Sequence, residues 1–384
     1  MNRAQETIRC SVHQKGNMVS ASFAENTITM ELIGNVELAP TSENFAAIVL
    51  LPLAMRAGRD ILITGRGDPL LAQNLSALSR IWQRWLPAVF SEVSVQFDAD
   101  STPGRSGREL RDDSDLVLFS GGVDSTYNLL DRSTKGLTQD LVTIHGMDYK
   151  LDDTERFQKL VNKTSMFASK VCGTRHLIRS DAYKVYKKHR ISGAFSHIYV
   201  LASSLFLFES KYRNAEIAAD ASRIDEYAIW PWGTNSLTNP LFAGSAFRLA
   251  TAGLDMDRVQ KMELIASDQD ALSSLSVCKV RSVRPDNCGV CTKCLRTKVH
   301  FEAAVGFIPE VFIDNRKINR ADLDLLYKQG PREHIFLQQA YSLAKEKGHE
   351  IPGLAETIER LRASPRRGRV LRKLTDAIKK TMKR

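Results

Sequence analysis

Long apolar runs are the first thing this sequence lacks. The longest, Phe45–Met55 and, counting two serines, Ile198–Phe208, fall well short of the roughly 18–20 residues that a bilayer span requires. The opening Met1-Asn2-Arg3-Ala4-Gln5-Glu6 has none of the apolar stretch of a secretory signal. A cytoplasmic chain without membrane spans is expected. Net charge is scarce as well, outside one place. The total is +10, but Arg362–Arg384 holds ten Lys or Arg against one acid, Asp376, which leaves +1 for the 361 residues before it. A basic surface tracking phosphates across the whole fold is thereby excluded. Cysteine is also sparse: there are six, and four of them, Cys278, Cys288, Cys291 and Cys294, fall within seventeen positions. Such bunching without a signal peptide points to metal binding, not to a disulfide framework.

At 384 residues, 43% apolar and 26% charged, the chain is long enough for two domains with a sizeable core. Internal repeats and long low-complexity tracts are absent. The first hundred residues mix strand and helix patterns: Ile28–Leu32, Ile61–Ile63 and Ser94–Phe97 read as strands. A helix is predicted from the Ser42-Glu43-Asn44 cap to about Met55. A second runs over Leu70–Leu86, where Leu71, Leu75, Leu78, Ile81 (or Trp82) and Trp85 recur at helical spacing. These make an N-terminal α+β domain over 1–100. The turn-forming, charged run from Asp98 to Asp115 places a linker at 101–114.

From Asp115 strands and helices alternate. Strands fall at Asp115–Phe119, Leu141–Ile144, His176–Ile178 and Glu216–Ala219. Helices are expected from the glycine turn to Asp131, over Asp152–Val171 and over Phe195–Phe208. This α/β pattern predicts a parallel, doubly wound sheet over 115–305, with ligands at the carboxyl ends of its strands. A helical extension, 306–384, follows. Its end places Val370 (or Leu371), Leu374, Ile378 and Met382 on one face among basic residues. Such a helix contacts RNA or an anionic membrane, or stays a solvated tail.

The sharpest motif is Ser120-Gly121-Gly122-Val123-Asp124-Ser125, followed by Thr126, between the strand Asp115–Phe119 and the next helix. Two glycines let backbone N–H groups approach a phosphate, and the helix N-terminus adds donors and a positive dipole end. The hydroxyls of Ser120, Ser125 and Thr126 fall at the same spot, and Asp124 offers a carboxylate for Mg²⁺. No lysine occurs in the turn, so the common G-x-x-x-x-G-K-[ST] phosphate loop is excluded. The cysteines form C-x9-C-x2-C-x2-C. With Asn287 and Gly289 supplying the turn, four thiolates can close a tetrahedral Zn²⁺ site, and an iron–sulfur cluster is the alternative.

The glycine turn resembles the pyrophosphate-binding loop of the ATP pyrophosphatases, whose fold is that of the adenine nucleotide alpha hydrolases. With the late cysteine cluster, the likeness narrows to 7-cyano-7-deazaguanine synthases, over about Leu116–Thr297. The shared residues are the turn, the segment Lys261-Met262-Glu263-Leu264-Ile265 and the stretch Cys278 to Cys294 that ends NCGVCTKC. This resemblance implies an ATP-dependent synthase that releases AMP and pyrophosphate while activating 7-carboxy-7-deazaguanine or a related small acid. Ammonia then gives a nitrile, or an amine of a protein or peptide gives an amide. It implies ATP, Mg²⁺ and structural Zn²⁺ as cofactors, Asp124 and Lys261 as catalytic residues, and His145 beside the nucleotide with Ser120–Thr126. Trp230 and Trp232 are candidates for stacking on the acid, or for anchoring their loop. Three departures mark a divergent relative: Ile144-His145-Gly146-Met147-Asp148-Tyr149 replaces the family's Asp-Tyr-Gly motif, Trp230-Pro231-Trp232-Gly233-Thr234-Asn235 stands where the family's deazapurine-recognition stretch is expected, and the family's synthases lack the first hundred residues. A tRNA-thiolating enzyme and a non-catalytic nucleotide-binding module are the competing readings.

Overall fold

A computed structural model describes residues 6–34, 40–101, 114–229 and 231–363. The linker 102–113, Trp230 and the basic tail 364–384 lie outside the described residues.

The N-terminal stretch folds as β1 (Thr7–Lys15), β2 (Met18–Phe23), β3 (Asn26–Leu32), α1 (Asn44–Ala57), β4 (Asp60–Gly67), α2 (Pro69–Trp85) and β5 (Val95–Asp100). The alternating part begins with β6 (Asp115–Leu118), α3 (Val123–Thr134), β7 (Gln139–His145), α4 (Thr154–Lys163), α5 (Ser165–Val171), β8 (Arg175–Ser180), α6 (Ala182–Lys188), α7 (Gly193–Phe206), β9 (Asn214–Ala218), α8 (Arg223–Ile229) and β10 (Arg248–Ala252). After it come α9 (Lys261–Ala266), α10 (Gln269–Ser274), α11 (Thr292–Val305), α12 (Arg320–Tyr327), α13 (Pro331–Lys347) and α14 (Leu354–Ala363).

All ten strands join one sheet, in the order β10-β9-β6-β7-β8-β3-β2-β1-β4-β5. Pairing is parallel from β10 to β8 and from β1 to β5, and antiparallel through β8, β3, β2 and β1. The result is an α/β protein with a mostly parallel sheet. The first hundred residues therefore extend the sheet of the alternating part, with Met30 opposite Ser180 and Leu32 opposite Ile178. One apolar core runs through both: Ile48 and Leu51 of α1 and Val200 and Ala202 of α7 are fully buried in it. Polar ties cross the same boundary. Asn44 Nδ2 donates to Glu209 at 2.8 Å, and the Ser245 amide donates to Asp68 at 2.5 Å.

The β2–β3 hairpin carries a weak sequence signal. The β2–β3 loop is Ala24-Glu25, with Ala24 at φ 50°, where turn chemistry favours glycine or asparagine. The helix expected over 152–171 is broken at Thr164, whose hydroxyl donates to Leu160 O at 2.7 Å and accepts from Arg175 at 2.8 Å. Trp82 is fully buried and packs edge-on against Trp85 at 5.2 Å, as the helical spacing predicted.

The loop leaving β7 turns on Gly146, at φ +107°, where an added Cβ would lie 1.9 Å from the Ser180 carbonyl oxygen. Gly146→Ala combines a strained backbone with a clash against main chain, and is expected to cost about 2–4 kcal/mol. Urea unfolding monitored by circular dichroism measures that loss.

Candidate functional site

The chain runs from β6 to β7 and β8 on one side, then returns to place β9 on the other side of β6. Such a reversal opens a crevice at the carboxyl ends of the strands. A cavity of about 390 Å³ lies there, lined from β6 by Leu118, Phe119 and the glycine bend, from β7 by Val142–Ile144, and from β9 by Ile217 and Ala218.

The bend itself is built by glycine. Gly121 adopts φ +73°, a left-handed conformation that strains other residues. Its carbonyl accepts from the Ser276 amide at 2.7 Å, which ties the bend to the segment leading into the cysteines. Gly122 caps α3 without side-chain help. The first-turn N–H groups, which have no helical partner, thus open toward the cavity that Gly122, Val123, Asp124 and Ser125 line. Ser125 Oγ donates to Gly122 O at 3.1 Å and lies 3.2 Å from Ser120 Oγ, so both hydroxyls sit within the bend.

Asp124 has a different setting from the one expected of a Mg²⁺ ligand. Its Oδ2 receives Arg258 at 2.5 Å and its Oδ1 receives Lys261 at 3.3 Å. Burial pushes its carboxyl up, but Arg258, Lys261 and Arg296 outweigh that and hold it below the usual carboxylate range. Both oxygens are committed to cations, so the residues present do not fit a Mg²⁺ on Asp124. Lys261, only 1% exposed, donates to Ala219 O at 2.6 Å beneath the bend. It anchors Asp124 and does not line the cavity, contrary to a role in direct contact with the reactants.

The expected nucleotide-binding residues separate accordingly. Ser120, Gly122, Val123, Asp124 and Ser125 line the cavity, while Gly121 shapes the bend from behind and Thr126 is buried in α3. His145 is not among the lining residues. Its ring stacks on Phe157 at 4.5 Å, its Nε2 lies 2.7 Å from Lys150 O, and burial lowers its pKa. It holds the β7 loop. Trp232 does line the cavity, but its indole face is covered by the Arg332 guanidinium, 4.1 Å from the ring centroid.

Five cations line the cavity, Arg258, Arg284, Lys293, Arg296 and Arg332, against three acids, Asp124, Asp148 and Asp220. The wall is therefore electropositive and suited to an anion. Lys293 is open to the cavity, and its Nζ has no protein partner among the described residues. Enclosure by protein, with Arg284, Arg258 and Arg296 nearby, lowers its pKa despite Asp148. Arg296 is lowered to about 10 by burial and then by Arg258. Arg258 and Arg332 carried no signal in the sequence; Arg258 lies 134 positions from the Asp124 it pairs with. The charged run after β9 is likewise spent on protein: Asp220 pairs with Arg332, Asp225 with Ser222 and Gln339, and Glu226 with Ser236.

The four cysteines converge, with all sulfurs within 4.8 Å of one another. Cys278 and Cys291 are 3.8 Å apart, and Cys288 and Cys294 are 3.9 Å apart. Ligands about 2.3 Å from one tetrahedral Zn²⁺ stand about 3.8 Å apart, so the donor set fits a single metal ion such as zinc. Backbone N–H groups of Val280 and Cys291 point at the sulfurs of Cys278 and Cys288, each at 3.3 Å. Asn287 locks the loop by accepting from Val277 and donating to Leu275 and Val311. Gly289, at φ +80°, has room for no Cβ, since one would meet Asp314 O at 2.1 Å. Without metal, hydrogen bonding from Cys294 holds the Cys291 thiol below its ordinary value, whereas burial pushes Cys278 up.

This knot also sets the cationic wall. Cys291 caps α11, whose next turn carries Lys293 and Arg296. Arg284 donates to Cys278 O at 2.5 Å and to Asp148 O at 2.6 Å. Lys298, one turn further along α11, donates to Asp314 O and does not line the cavity.

No family model, no curated protein and no solved structure matches this chain. Among the described residues no helix is long and apolar enough to cross a membrane.

Proposed function

We propose that this chain is an ATP-dependent adenylating enzyme of the ATP pyrophosphatase type. It activates a carboxylate, 7-carboxy-7-deazaguanine or a related acid, for attack by ammonia or an amine. The observation that carries the reading is the uncapped, lysine-free glycine bend at a strand reversal, facing a wall of cations that the chain supplies from elsewhere.

The chemistry divides as follows. A carboxylate oxygen of the acid attacks the α-phosphorus of ATP, the bond from that phosphorus to the bridging oxygen breaks, and pyrophosphate leaves. The nitrogen nucleophile then bonds to the acyl carbon, loses its proton and displaces AMP. The protein's task is to meet the growing negative charge with donors already in position. The amides at the start of α3, the hydroxyls of Ser120 and Ser125, and Lys293 with Arg296 supply them. Asp124 fixes Arg258 in that wall. Mg²⁺, when present, neutralises phosphate charge; Asp124 is not its ligand in this reading. The four cysteines would hold Zn²⁺ as a structural brace.

ATP–pyrophosphate exchange, screened against acids beginning with 7-carboxy-7-deazaguanine, tests the proposal. Exchange is expected with at least one acid. Lys293→Ala, a change at an exposed position, is expected to lower it by about 10²–10³-fold. Binding of ATP with no AMP released and no exchange with any acid would instead mark a non-catalytic nucleotide-binding module.

A further inference from the structure

Every acid that lines the cavity is answered by a cation: Asp124 by Arg258 and Lys261, Asp148 by Arg284, and Asp220 by Arg332. Carboxylates held this way are poor proton acceptors, and the arginines of the wall accept none. The one imidazole in the lining is His197, near the start of α7. Its Nδ1 lies 2.9 Å from Gly193 O and its Nε2 lies 2.6 Å from Thr234 Oγ1. A carbonyl oxygen only accepts, so Nδ1 carries the ring proton. Nε2 of the neutral ring therefore presents its lone pair to the Thr234 hydroxyl, which donates to it. Burial lowers the pKa of the ring and outweighs Asp220, while Arg332 lowers it further. The neutral ring is thus the resident form near pH 7.

The loop before Thr234 is shaped for this contact. The Gly233 amide donates to Ala194 O at 2.8 Å, which lays the loop across the start of α7. A Cβ on Gly233 would lie 2.6 Å from Cε1 and 2.8 Å from Nδ1 of His197, so glycine there lets the next residue's hydroxyl reach the ring. Trp232 packs against the same imidazole, with ring centroids 5.1 Å apart. Thr234 is 6% exposed and lines the cavity. Its hydroxyl has no second protein partner among the described residues, which leaves oxygen lone pairs for a molecule in the cavity. A base oriented by a third group, with a hydroxyl between it and the reactants, has the parts of a proton relay.

We infer that Thr234 and His197 relay the proton that the nitrogen nucleophile must lose when it displaces AMP. The inference rests on the adenylation reading and adds the proton acceptor that reading lacks. As the lone pair of ammonia or an amine bonds to the acyl carbon, the nitrogen's proton passes to Thr234 Oγ1. The hydroxyl's own proton passes to His197 Nε2. The bond from the acyl carbon to the phosphate oxygen then breaks, and its electron pair leaves with AMP. His197 ends as an imidazolium held by Gly193 O and favoured by the Asp220 charge, and it gives its proton to water once AMP departs. Formation of the adenylate moves no proton, because a carboxylate attacks the phosphorus. The relay therefore belongs to the second half-reaction alone.

The test reads the two half-reactions separately on the full chain, with ATP, the acids of the exchange screen, and ammonia or hydroxylamine. ATP–pyrophosphate exchange reports adenylation. Amide or hydroxamate formed in a single turnover reports transfer. Thr234→Val and His197→Gln are expected to lower transfer to ammonia about 10²-fold more than they lower exchange. Thr234→Ser, which keeps the hydroxyl, is expected to recover most of the transfer. Hydroxylamine gives up its proton to water more readily once its nitrogen has bonded, so it is expected to narrow the deficit of both variants. Should valine disturb the fold, Thr234→Ala, smaller than the residue it replaces, is read the same way. Transfer at the wild-type rate in the variants overturns the relay and leaves adenylation standing. Exchange and transfer lost in equal measure, or a deficit the same for both nucleophiles, also overturns it, by assigning the pair to holding the loop. A wild type that exchanges with no acid sinks the adenylation reading and the relay together.

Discussion

Asp124→Ala is expected to destabilise the protein by about 3–5 kcal/mol, the cost of leaving a buried charge without its partner. Lys261 is the reason. It is 1% exposed, and Asp124 is the carboxylate that answers its charge. Water cannot reach Lys261 to replace the lost partner. The same change frees Arg258 from the 2.5 Å contact that holds it in the cavity wall. Nucleotide binding is therefore expected to fall together with stability. Urea unfolding measures the first and pyrophosphate calorimetry the second. A variant with wild-type stability would show that Lys261 is solvated after all.

The pH dependence of that pair has a defined sign. The folded carboxyl of Asp124 titrates below its ordinary value of about 4. The unfolded chain therefore takes up the proton first as pH falls. The stabilisation is complete above the ordinary value and drains away as pH drops through the lowered one. Asp124→Asn removes this contribution at every pH. The gap in stability between wild type and Asp124→Asn is expected to be widest near neutrality and to close below about pH 4.

Removing the metal is expected to have the second large effect. Structural zinc sites in small peptides bind with about 10–16 kcal/mol, as much as or more than the net stability of about 5–15 kcal/mol of a typical domain. Here Cys278, Cys291 and Cys294 are core residues of the apolar cluster that also contains Leu295, Val299, Leu326 and Leu337. Stripping the ion leaves thiols 3.8–3.9 Å apart with no central charge to hold them. The loop 279–290 and the first turn of α11 are expected to open, carrying Arg284, Lys293 and Arg296 away from the cavity. Purified protein should be colourless and contain one zinc per chain by elemental analysis. Chelation, or Cys291→Ser, is expected to expose 279–290 to proteolysis and to split thermal unfolding into two steps. Visible absorption lost with the metal would identify an iron–sulfur cluster in its place. A chelated protein that resists proteolysis as the native one does would sink the structural role.

Which parts of this were readable beforehand depended on the range of the interactions involved. Short-range chemistry was legible. The glycine bend needs left-handed backbone at Gly121, and the four-cysteine cluster needs cysteines three apart with a glycine at 289 that has no room for a Cβ. The alternation of strands and helices from Asp115 onward comes from local periodicity, and so does the cavity's place at the carboxyl ends of β6 and β7. The hairpin of β2 and β3 was not legible, because its Ala24-Glu25 loop carries no turn chemistry. Nor could periodicity reveal that β3 adds to β8, since strands about 150 residues apart in sequence are paired only by the tertiary fold.

The charges of the site belong wholly to this second kind. Nothing adjacent to Asp124 announces Arg258 and Lys261, and nothing near Trp232 announces an arginine a hundred positions later. A residue type predicts what a side chain can do: a carboxylate can take a metal, an indole can stack, a histidine can act as a base. Its neighbours decide what it does do, because desolvation and charge act through space and ignore chain order. Here three cations claimed Asp124, an arginine covered Trp232, and a phenylalanine claimed His145. The backbone scaffold of the site was thus written in local sequence, and its electrostatics were settled by the packing of distant elements around one cavity.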